Sequence, residues 1–371
     1  MTQGAPVVDN GNSEVLLASA SYDHTIRFWD VKSGQHSRTL QHADSQVNAM
    51  AFSPDCAMLA AAGYQHIRMY DIRSRENGPT VDYEGVSKNV TGVGFDPDAR
   101  WMYTGGEDST ARIWDLRVKS VTCSKIFQVT NPVNSICLHP NGCELIVGDH
   151  GGTVYLWDLR NDHNEQLTPL PGISIQHVDI DAAGTMLAAV SNKGHCFIWS
   201  IVAGSALNAV AAGNAMPQAP GQTPNPPTLN GQPMQGSLDG SGVQAPPMRN
   251  EGSPPGISKR IVPINCFTAH SKYALKCRFS PDSTLLATTS GDCTAAIWRT
   301  ADLSKLVDLK ADNQRWVWDC AFTADSRYIF TGSSDNDVRY WSFNLDEAKV
   351  ERTFSGHQKA VTAIALHDVL S

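Results

Sequence analysis

The sequence predicts an all-β protein with seven four-stranded blades arranged as a closed β-propeller, and three observations lead to this prediction. A segment that ends on a large aromatic residue recurs every 41–44 residues, which is the length of one propeller blade. Each period also contains an apolar strand followed by Phe-Ser-Pro-Asp or a related turn sequence. Finally, the sequence begins with a second strand and ends with a spare first strand, so one blade joins both termini.

The recurring aromatic ends the third strand of each blade, in segments such as T-I-R-F-W-D and A-R-I-W-D-L. The seven aromatic residues are Trp29, Tyr70, Trp114, Trp157, Trp199, Trp298 and Trp341. One interval, the 99 residues between Trp199 and Trp298, is longer than two periods. The excess indicates an insertion inside one blade rather than an additional domain.

Composition places this insertion at residues 203–260 and divides the chain into four parts. Residues 1–13 form a polar lead, 14–202 the first part of the propeller, and 261–371 its remainder with the closing strand. The insertion is rich in Pro, Gly, Gln and Asn and has no aromatic residue between 203 and 258. Such a segment cannot bury enough apolar surface to offset its ordering entropy, so we expect it to be disordered.

The first strand of each blade lines the centre of a propeller and starts at an apolar position that we call the anchor. The seven anchors are Val47, Val90, Val133, Ile175, Ala274, Val317 and Val361. The residues on either side of each anchor are predicted to lie at the rim of one face. Four consecutive blades offer small polar residues there, whereas two adjacent blades offer Tyr273, Leu275, Trp316 and Trp318.

The two tryptophans stand two apart, so strand alternation places both on the same side. If exposed, these four residues form an apolar patch of the kind that binds other proteins. A polar rim continues the patch through Thr362, Gln46 and Asn48, with the turn residue Tyr22 nearby. The alternative is that both indoles fill the channel or pack under a loop.

A Ser/Thr, His and Asp pattern recurs around the ring and resembles a catalytic triad at first sight. A triad occurs once per site, whereas recurrence indicates a buried hydrogen-bond relay that stabilises each blade. The predicted relay residues are His357, Ser19, Asp23, Trp29, His270, Thr288, Asp292, Trp298, Thr104, Asp108, Trp114, Thr331, Asp335 and Trp341. Two blades, those of Tyr70 and Trp157, lack the Asp, and we expect them to be softer or packed differently.

Composition argues against several function classes. The net charge of −8 gives no general attraction to nucleic acid or anionic lipid, and no apolar run is long enough to span a membrane. Nine scattered cysteines without a C-x-x-C pair, and no secretory signal, predict reduced thiols and no metal site. No phosphate-binding loop or dinucleotide fingerprint is present. We therefore expect no catalytic residue, no metal and no cofactor.

Several strings are more specific than the repeat itself, among them A-G-Y-Q-H-I-R-M-Y-D (62–71), R-W-M-Y-T-G-G-E-D-S-T-A-R-I-W-D-L-R (100–117), D-H-N-E-Q-L (162–167), R-F-S-P-D-S-T-L-L-A-T (278–288) and G-H-Q-K-A-V (356–361). They closely resemble the WD-repeat, G-protein-β-subunit-like subunit of the target of rapamycin (TOR) kinase complexes. The resemblance covers roughly 14–200 and 261–371, in order and at matching spacing. The long insertion is a departure that leaves its own role open.

The resemblance implies a non-catalytic scaffold subunit shared by both TOR complexes, TORC1 and TORC2, in growth signalling. It implies binding to an insertion in the C-terminal lobe of the kinase domain, through positions matching Trp316, Trp318, Tyr273, Gln46 and Asn48. It also implies a cytoplasmic location, peripheral at vacuolar, lysosomal or other endomembranes through the complex, or a nuclear one. No nucleic acid partner and no direct membrane insertion are expected. The alternative is a generic propeller adaptor, such as a substrate receptor or histone-tail reader.

Overall fold

The structure, a computed structural model, describes residues 15–118, 121–202, 261–344 and 347–368. It consists of seven four-stranded antiparallel sheets, which confirms the predicted seven-bladed propeller. We number the blades in chain order, starting with the one that contains the first strand. Within the described ranges all regular elements are strands, and no helix is long and apolar enough to cross a bilayer.

The first four blades occupy the N-terminal half of the chain. Blade 1 contains β1 (Leu16–Ser21), β2 (Thr25–Asp30), β3 (His36–Gln41) and the last strand, β28 (Val361–His367). Blade 2 contains β4 (Val47–Phe52), β5 (Met58–Gly63), β6 (Ile67–Asp71) and β7 (Val81–Tyr83). Blade 3 contains β8 (Val90–Phe95), β9 (Trp101–Gly106), β10 (Thr110–Asp115) and β11 (Lys125–Gln128). Blade 4 contains β12 (Val133–Leu138), β13 (Glu144–Asp149), β14 (Val154–Asp158) and β15 (Asn164–Leu167).

The remaining three blades complete the ring. Blade 5 contains β16 (Ile175–Ile180), β17 (Met186–Ser191), β18 (His195–Ile201) and β19 (Ile261–Thr268). Blade 6 contains β20 (Ala274–Phe279), β21 (Leu285–Ser290), β22 (Ala295–Arg299) and β23 (Lys305–Leu309). Blade 7 contains β24 (Val317–Phe322), β25 (Tyr328–Ser333), β26 (Val338–Phe343) and β27 (Ala348–Phe354). The insertion predicted at 203–260 lies outside the described residues, and the strands on either side of it, β18 and β19, pair directly.

Blade 1 is assembled from both ends of the chain, as the sequence predicts. The last strand, β28, pairs antiparallel with β1, so that Leu17 faces Leu366 and Ser19 faces Ile364. β28 is the innermost strand of this blade and packs beside β4 of blade 2 and β24 of blade 7. The ring is therefore closed by backbone hydrogen bonds between segments more than 300 residues apart.

The turn residues explain why the strands reverse where they do. In blades 2 to 7 the turn between the first and second strands contains a residue with positive φ, namely Cys56, Ala99, Gly142, Gly184, Ser283 and Ser326. Each of these residues donates its backbone N–H to the carbonyl three residues earlier, at 2.8–3.0 Å. In blades 2, 3, 4 and 6 the preceding Pro-Asp or Pro-Asn sequence favours this tight turn, because proline fixes φ and the acidic or amide side chain bonds the backbone.

The core lies between neighbouring blades, where the apolar faces of adjacent sheets pack together. The seven recurring aromatic residues are all buried there, between 1% and 7% exposed. The seven anchors are buried as well, and each is the first residue of its inner strand. Because all inner strands run in the same direction, they start at one face, which we call the entry face. The turns between second and third strands lie at the same face, and the opposite side is the exit face.

Candidate protein-binding site

The relay predicted for blade 1 is present in full. The Trp29 indole N–H donates to Ser19 Oγ at 2.7 Å, and Ser19 Oγ lies 2.8 Å from His357 Nε2. His357 Nδ1 in turn lies 3.0 Å from Asp23 Oδ2, which also accepts the backbone N–H of Gln358. Because His357 precedes β28 and Ser19 lies on β1, these bonds join the C-terminal and N-terminal parts of the blade.

Blade 6 repeats the same arrangement with different residues. Trp298 donates to Thr288 Oγ1 at 2.9 Å, and Thr288 Oγ1 lies 2.9 Å from His270 Nε2. His270 Nδ1 lies 3.1 Å from Asp292 Oδ2. Two copies of one constellation, each buried and each joined to the blade tryptophan, support a structural role over a catalytic one.

Both relay carboxylates are held in the ionised form. Burial by itself raises the pKa of a carboxyl group, but here the hydrogen bonds outweigh it. Bonds from His357 and Thr25 hold the pKa of Asp23 well below its usual range. Bonds from His270 and Thr294 do the same to the pKa of Asp292. The folded protein therefore stabilises the carboxylate over the carboxylic acid at both positions.

Blades 3 and 7 contain an arginine where blades 1 and 6 have a histidine. In blade 3, Trp114 donates to Thr104 Oγ1 at 2.9 Å, while Arg112 pairs with Asp108 at 2.8 Å. The corresponding residues of blade 7 are Trp341 and Thr331, at 2.8 Å, and Arg339 and Asp335, at 2.6 Å. The sequence analysis missed both arginines. Each stands two residues before the blade tryptophan in a blade that has no histidine ahead of its first strand, and that combination is the signal that could have revealed them.

Blades 2 and 4, for which the sequence predicted no relay Asp, are packed differently from the relay blades. Different packing was one of the two predicted alternatives. In blade 2 the Tyr70 hydroxyl lies 3.0 Å from His42 Nδ1 and replaces the indole contact. In blade 4 the buried Asp149 accepts a bond from the Tyr155 hydroxyl at 3.2 Å. Burial lowers the pKa of His42 to about 3, so this histidine is neutral in the folded protein.

A third blade also lacks the Asp, which corrects the prediction of two. In blade 5 the position six residues before Trp199 is Lys193, and the position of the second-strand hydroxyl is Ala189. Lys193 is exposed, whereas Ala189 is fully buried within the apolar core of the blade. Blade 5 is therefore held by apolar packing around Phe197 and Trp199, without a relay.

A β-bulge follows the anchor in every blade and determines how the rim residues are placed. The register of the first and second strands skips one residue immediately after each anchor. The seven skipped residues are Asn48, Thr91, Asn134, Gln176, Leu275, Trp318 and Thr362. A bulge redirects a side chain relative to the regular alternation of the strand. The bulge therefore changes where these seven side chains face at the entry face.

In four blades the bulge residue ties its blade to the next one. Its side chain donates to the carbonyl of the neighbouring anchor, in the pairs Thr362–Val47 (2.6 Å), Asn48–Val90 (3.3 Å), Thr91–Val133 (2.8 Å) and Asn134–Ile175 (2.6 Å). These pairs form a continuous arc from blade 1 to blade 5. Each hydrogen bond of this kind contributes about 1 kcal/mol.

Blades 5, 6 and 7 interrupt the arc. Gln176 donates to Ser174 Oγ within its own blade, at 2.9 Å. The side chain of Leu275 has no hydrogen-bond donor. The Trp318 indole N–H donates to Ser334 Oγ at 2.6 Å, also within its own blade. The sector that lacks these bonds between blades is the one that carries the aromatic rim residues.

Three aromatic rings form a row across this sector. The Tyr273 and Trp316 ring centres are 6.1 Å apart, and those of Trp316 and Trp318 are 5.6 Å apart. Trp316 lies over the backbone of Gly291, where a Cβ atom would stand 3.2 Å from its ring. Tyr273 is 47% exposed and Trp316 is 37% exposed, while Trp318 is partly buried. Both indoles reach the surface, so they are not sealed inside the channel. We call Tyr273, Trp316 and Trp318 the aromatic row.

The other predicted rim residues fall into two groups. Gln46, Asn48 and Leu275 are half-buried at the entry face, and Tyr22 is exposed there. Thr362 differs from the expectation, because it is only 8% exposed and its hydroxyl donates to Val47. It therefore holds blades 1 and 2 together instead of offering a free polar group.

The sequence analysis missed one exposed aromatic residue of this face, Tyr64. It is 46% exposed, and its backbone N–H donates to Ser45 Oγ, immediately before Gln46. The shortened turn G-Y-Q-H in blade 2 was the available signal. Tyr64 lies beside the polar part of the rim and extends the aromatic character of the face there.

Neither the distribution of metal-ligand side chains nor the cavity at the exit face indicates a chemical site among the described residues. Among the described residues no group of three or more His, Cys, Asp and Glu side chains is arranged to hold a metal ion. At the exit face, a cavity of about 350 Å³ opens at the ends of the inner strands and includes Phe52, Arg278 and Phe322 in its lining. Arg278 pairs there with Asp179 at 3.4 Å, so its charge is already balanced.

The comparisons with known proteins agree with the fold and cover most of the chain. Residues 7–200 match the family described as nucleolar protein 10-like, N-terminal domain, and residues 261–299 and 304–342 match the WD domain, G-beta repeat. The chain is 46% identical over 365 residues to the target of rapamycin complex subunit LST8 of Rattus norvegicus, covering 96% of both chains. It is 38% identical over 356 residues to the subunit of the same name in Saccharomyces cerevisiae, covering 96% of this chain and 99% of the relative. With identity of this extent over 96% of its length, the chain belongs to the LST8 family of target of rapamycin complex subunits.

Proposed function

We propose that this chain is a non-catalytic subunit of TOR complexes that binds the kinase domain through the aromatic row and stabilises its active form. Membership of the LST8 family supports the assignment to TOR complexes. The proposed position of the binding site is supported mainly by the exposure of the aromatic row, which lies where the arc of hydrogen bonds between blades is interrupted.

The exposed area of these rings is large enough for a binding hot spot. Tyr273 and Trp316 expose 47% and 37% of their surface. For side chains of about 150–250 Å², each ring leaves about 80 Å² to bury, or roughly 2 kcal/mol at about 25 cal/mol/Å². Together the two rings supply about 4 kcal/mol before association costs, which is the contribution expected of an interface anchor.

The construction of the ring supports a scaffolding role. The rim residues of blades 1 to 4 are already used in bonds between blades, so this part of the face is rigid. A rigid surface that binds a mobile kinase segment in one conformation shifts the kinase population towards that conformation. The segment we propose is the insertion in the C-terminal lobe of the kinase domain, beside the substrate cleft.

Absence of catalysis is part of the same proposal. The Ser/Thr, His and Asp constellations recur in blades 1 and 6 and bond to buried tryptophans, with arginine variants in blades 3 and 7. Such repetition supports a structural role for them. We also propose that the chain is located with its kinase complex, in the cytoplasm at endomembranes, which microscopy of a fluorescent fusion tests.

The test is co-purification of the TOR kinase with tagged variants of the chain. Trp316→Ala removes an exposed ring without removing a hydrogen bond, and Trp316→Ala with Trp318→Ala removes most of the row. We expect both to lower the amount of kinase recovered at least tenfold, with little change in thermal stability for the single variant. Val262→Ala with Ile264→Ala, which trims exposed apolar residues on the outer strand β19, serves as the control.

Two outcomes contradict the proposal. If kinase recovery is unchanged in the double variant, the aromatic row is not the binding site. If Trp316→Ala alone unfolds the chain, the indole is a structural filler of the ring instead. Capture of an unrelated protein in place of a kinase would support the adaptor alternative.

A further inference from the structure

Exposed basic residues cluster beside the aromatic row. In blades 6, 7 and 1, the residue two positions before the anchor is Lys272, Arg315 and Lys359, and all three are exposed. They occupy the same position in three consecutive blades, so they lie along one arc of the entry face. Lys193 of blade 5 extends this arc, because the adjacent Gly194 packs directly against the Lys272 backbone carbonyl. We call these four residues the basic arc.

No carboxylate in the described part of the chain forms an ion pair with the basic arc. The aspartates on the neighbouring turns are largely buried: Asp292 and Asp23 are hydrogen-bonded to His270 and His357, and Asp335 pairs with Arg339. Asp312, before β24, is the exposed carboxylate nearest in sequence to Arg315. The exposed charges of this sector are therefore mostly basic, although the chain as a whole has a net charge of −8.

The rest of the entry face does not share this charge. The equivalent positions in blades 2, 4 and 5 are Ser45, Asn131 and Ile173. Blade 3 has Lys88, but the adjacent turn residue Glu107 accepts a bond from Asn89 and places a carboxylate beside it. Apart from Lys88, exposed basic side chains beside turns whose relay carboxylates are largely buried are thus confined to the sector of the aromatic row.

We propose that the segment seated on the aromatic row is an acidic amphipathic stretch of protein, with apolar side chains on the rings and carboxylates facing the basic arc. This inference rests on the proposed function and specifies the chemistry of the partner. Carboxylates opposite Lys272, Arg315 and Lys359 contribute mainly to the rate of association and to partner selection, while the rings supply the affinity.

A protein segment fits this surface better than a nucleic acid or an anionic membrane. Nucleic acid binding requires many phosphate contacts, and four basic residues on a chain of net charge −8 provide few. The positive charges also flank an aromatic row with a Trp316 indole N–H that has no bonded partner among the described residues. That combination matches the apolar centre and charged rim of a protein interface.

The experiment measures association of the purified chain with TOR kinase isolated from cells depleted of the endogenous chain. The variant Lys272→Glu, Arg315→Glu, Lys359→Glu is compared with Lys32→Glu, Arg75→Glu, Arg327→Glu, which changes the net charge equally at exposed positions of the exit face. We expect the first variant to slow association at least about tenfold at low ionic strength. The second should stay within about twofold of the wild type.

A neutral variant separates charge from side-chain packing. Lys272→Gln, Arg315→Gln, Lys359→Gln should bind more slowly than the wild type at low salt and equally at high salt, because screening removes the electrostatic contribution. Equal rates for the entry-face and exit-face reversals would overturn the inference. So would association of the wild type with vesicles rich in phosphatidylserine that depends on the basic arc, since this would indicate a membrane surface.

The experiment also distinguishes this inference from the proposed function. If Trp316→Ala abolishes kinase binding while the charge reversals have no effect, only the acidic character of the partner is wrong. If the wild-type chain does not bind the kinase, both proposals fall. Equal urea midpoints for the three charge variants and the wild type exclude unfolding as the cause of any loss.

Discussion

Replacing Asp292 by asparagine removes the charged acceptor from the blade 6 relay while preserving the size of the side chain. Asp292 Oδ1 accepts the hydroxyl and the backbone N–H of Thr294, at 2.6 and 3.1 Å. Asp292 Oδ2 lies 3.1 Å from both His270 Nδ1 and the Ser271 backbone nitrogen. An asparagine keeps one acceptor oxygen and places an amide N–H₂ at the other position. We therefore expect the contact with the Ser271 N–H to be lost and the contact with His270 to be weakened.

The size of the loss follows from these contacts. Hydrogen bonds to a charged group contribute about 1.5–3 kcal/mol each. The Asp292 side chain is only 13% exposed, so solvent screens these bonds little. Because the amide can still form a weaker contact with His270, we expect Asp292→Asn to lower the free energy of unfolding by about 2–4 kcal/mol.

Urea unfolding followed by tryptophan fluorescence measures this change, and hydrogen exchange locates it. Amides of β20, β21 and β22 should lose more protection than those of blade 3, since the relay links these strands. Asp302→Asn, in an exposed turn of the same blade, provides the control and should have a much smaller effect. A loss below about 0.5 kcal/mol for Asp292→Asn, with unchanged exchange in blade 6, would show that the relay does not stabilise the blade.

Three further predictions concern other parts of the ring. The pKa of Asp23 and of Asp292 lies below the unfolded value, so their stabilisation is present above about pH 4 and lost as the pH falls. The difference in urea midpoint between wild type and Asp292→Asn should therefore be constant above about pH 5 and shrink progressively as the pH falls below about pH 4. Thr362→Val removes the bond to Val47 and should cost about 1 kcal/mol in the same assay. Gly291→Ala places a methyl group 3.2 Å from the Trp316 ring, so we expect it to displace the indole, shift its fluorescence and reduce kinase recovery without unfolding the chain.

The fold could be predicted from the sequence because its determinants are local and repeated. Strand alternation, the Pro-Asp turns and the recurring aromatic each lie within one period, and all seven anchors proved to be the first residues of inner strands. Joining of the termini in blade 1 followed from counting strands. The relays of blades 1 and 6 were also predictable, since their spacing repeats.

Other features of the site depend on contacts between blades, which one period does not reveal. The bulge after each anchor changes where the next side chain faces, and for this reason Thr362 is buried against Val47. Arg112 and Arg339 were missed because an arginine near a strand end is usually solvated, and only the fold brings each onto its aspartate. Exposure of Tyr64 depends on a short turn whose path the sequence does not specify.

Closure of blade 1 by β28 has a consequence for how the protein is made. The ribosome synthesises β28 after every other described strand. Among these strands β1 is made first, and its inner partner β28 is made last. Throughout elongation, β1 presents an unpaired edge and the apolar core of blade 1 stays open. A nascent chain in that condition is prone to aggregation, and its completion depends on contacts across nearly the full sequence. Cells that make this protein therefore need a means of shielding an unfinished ring.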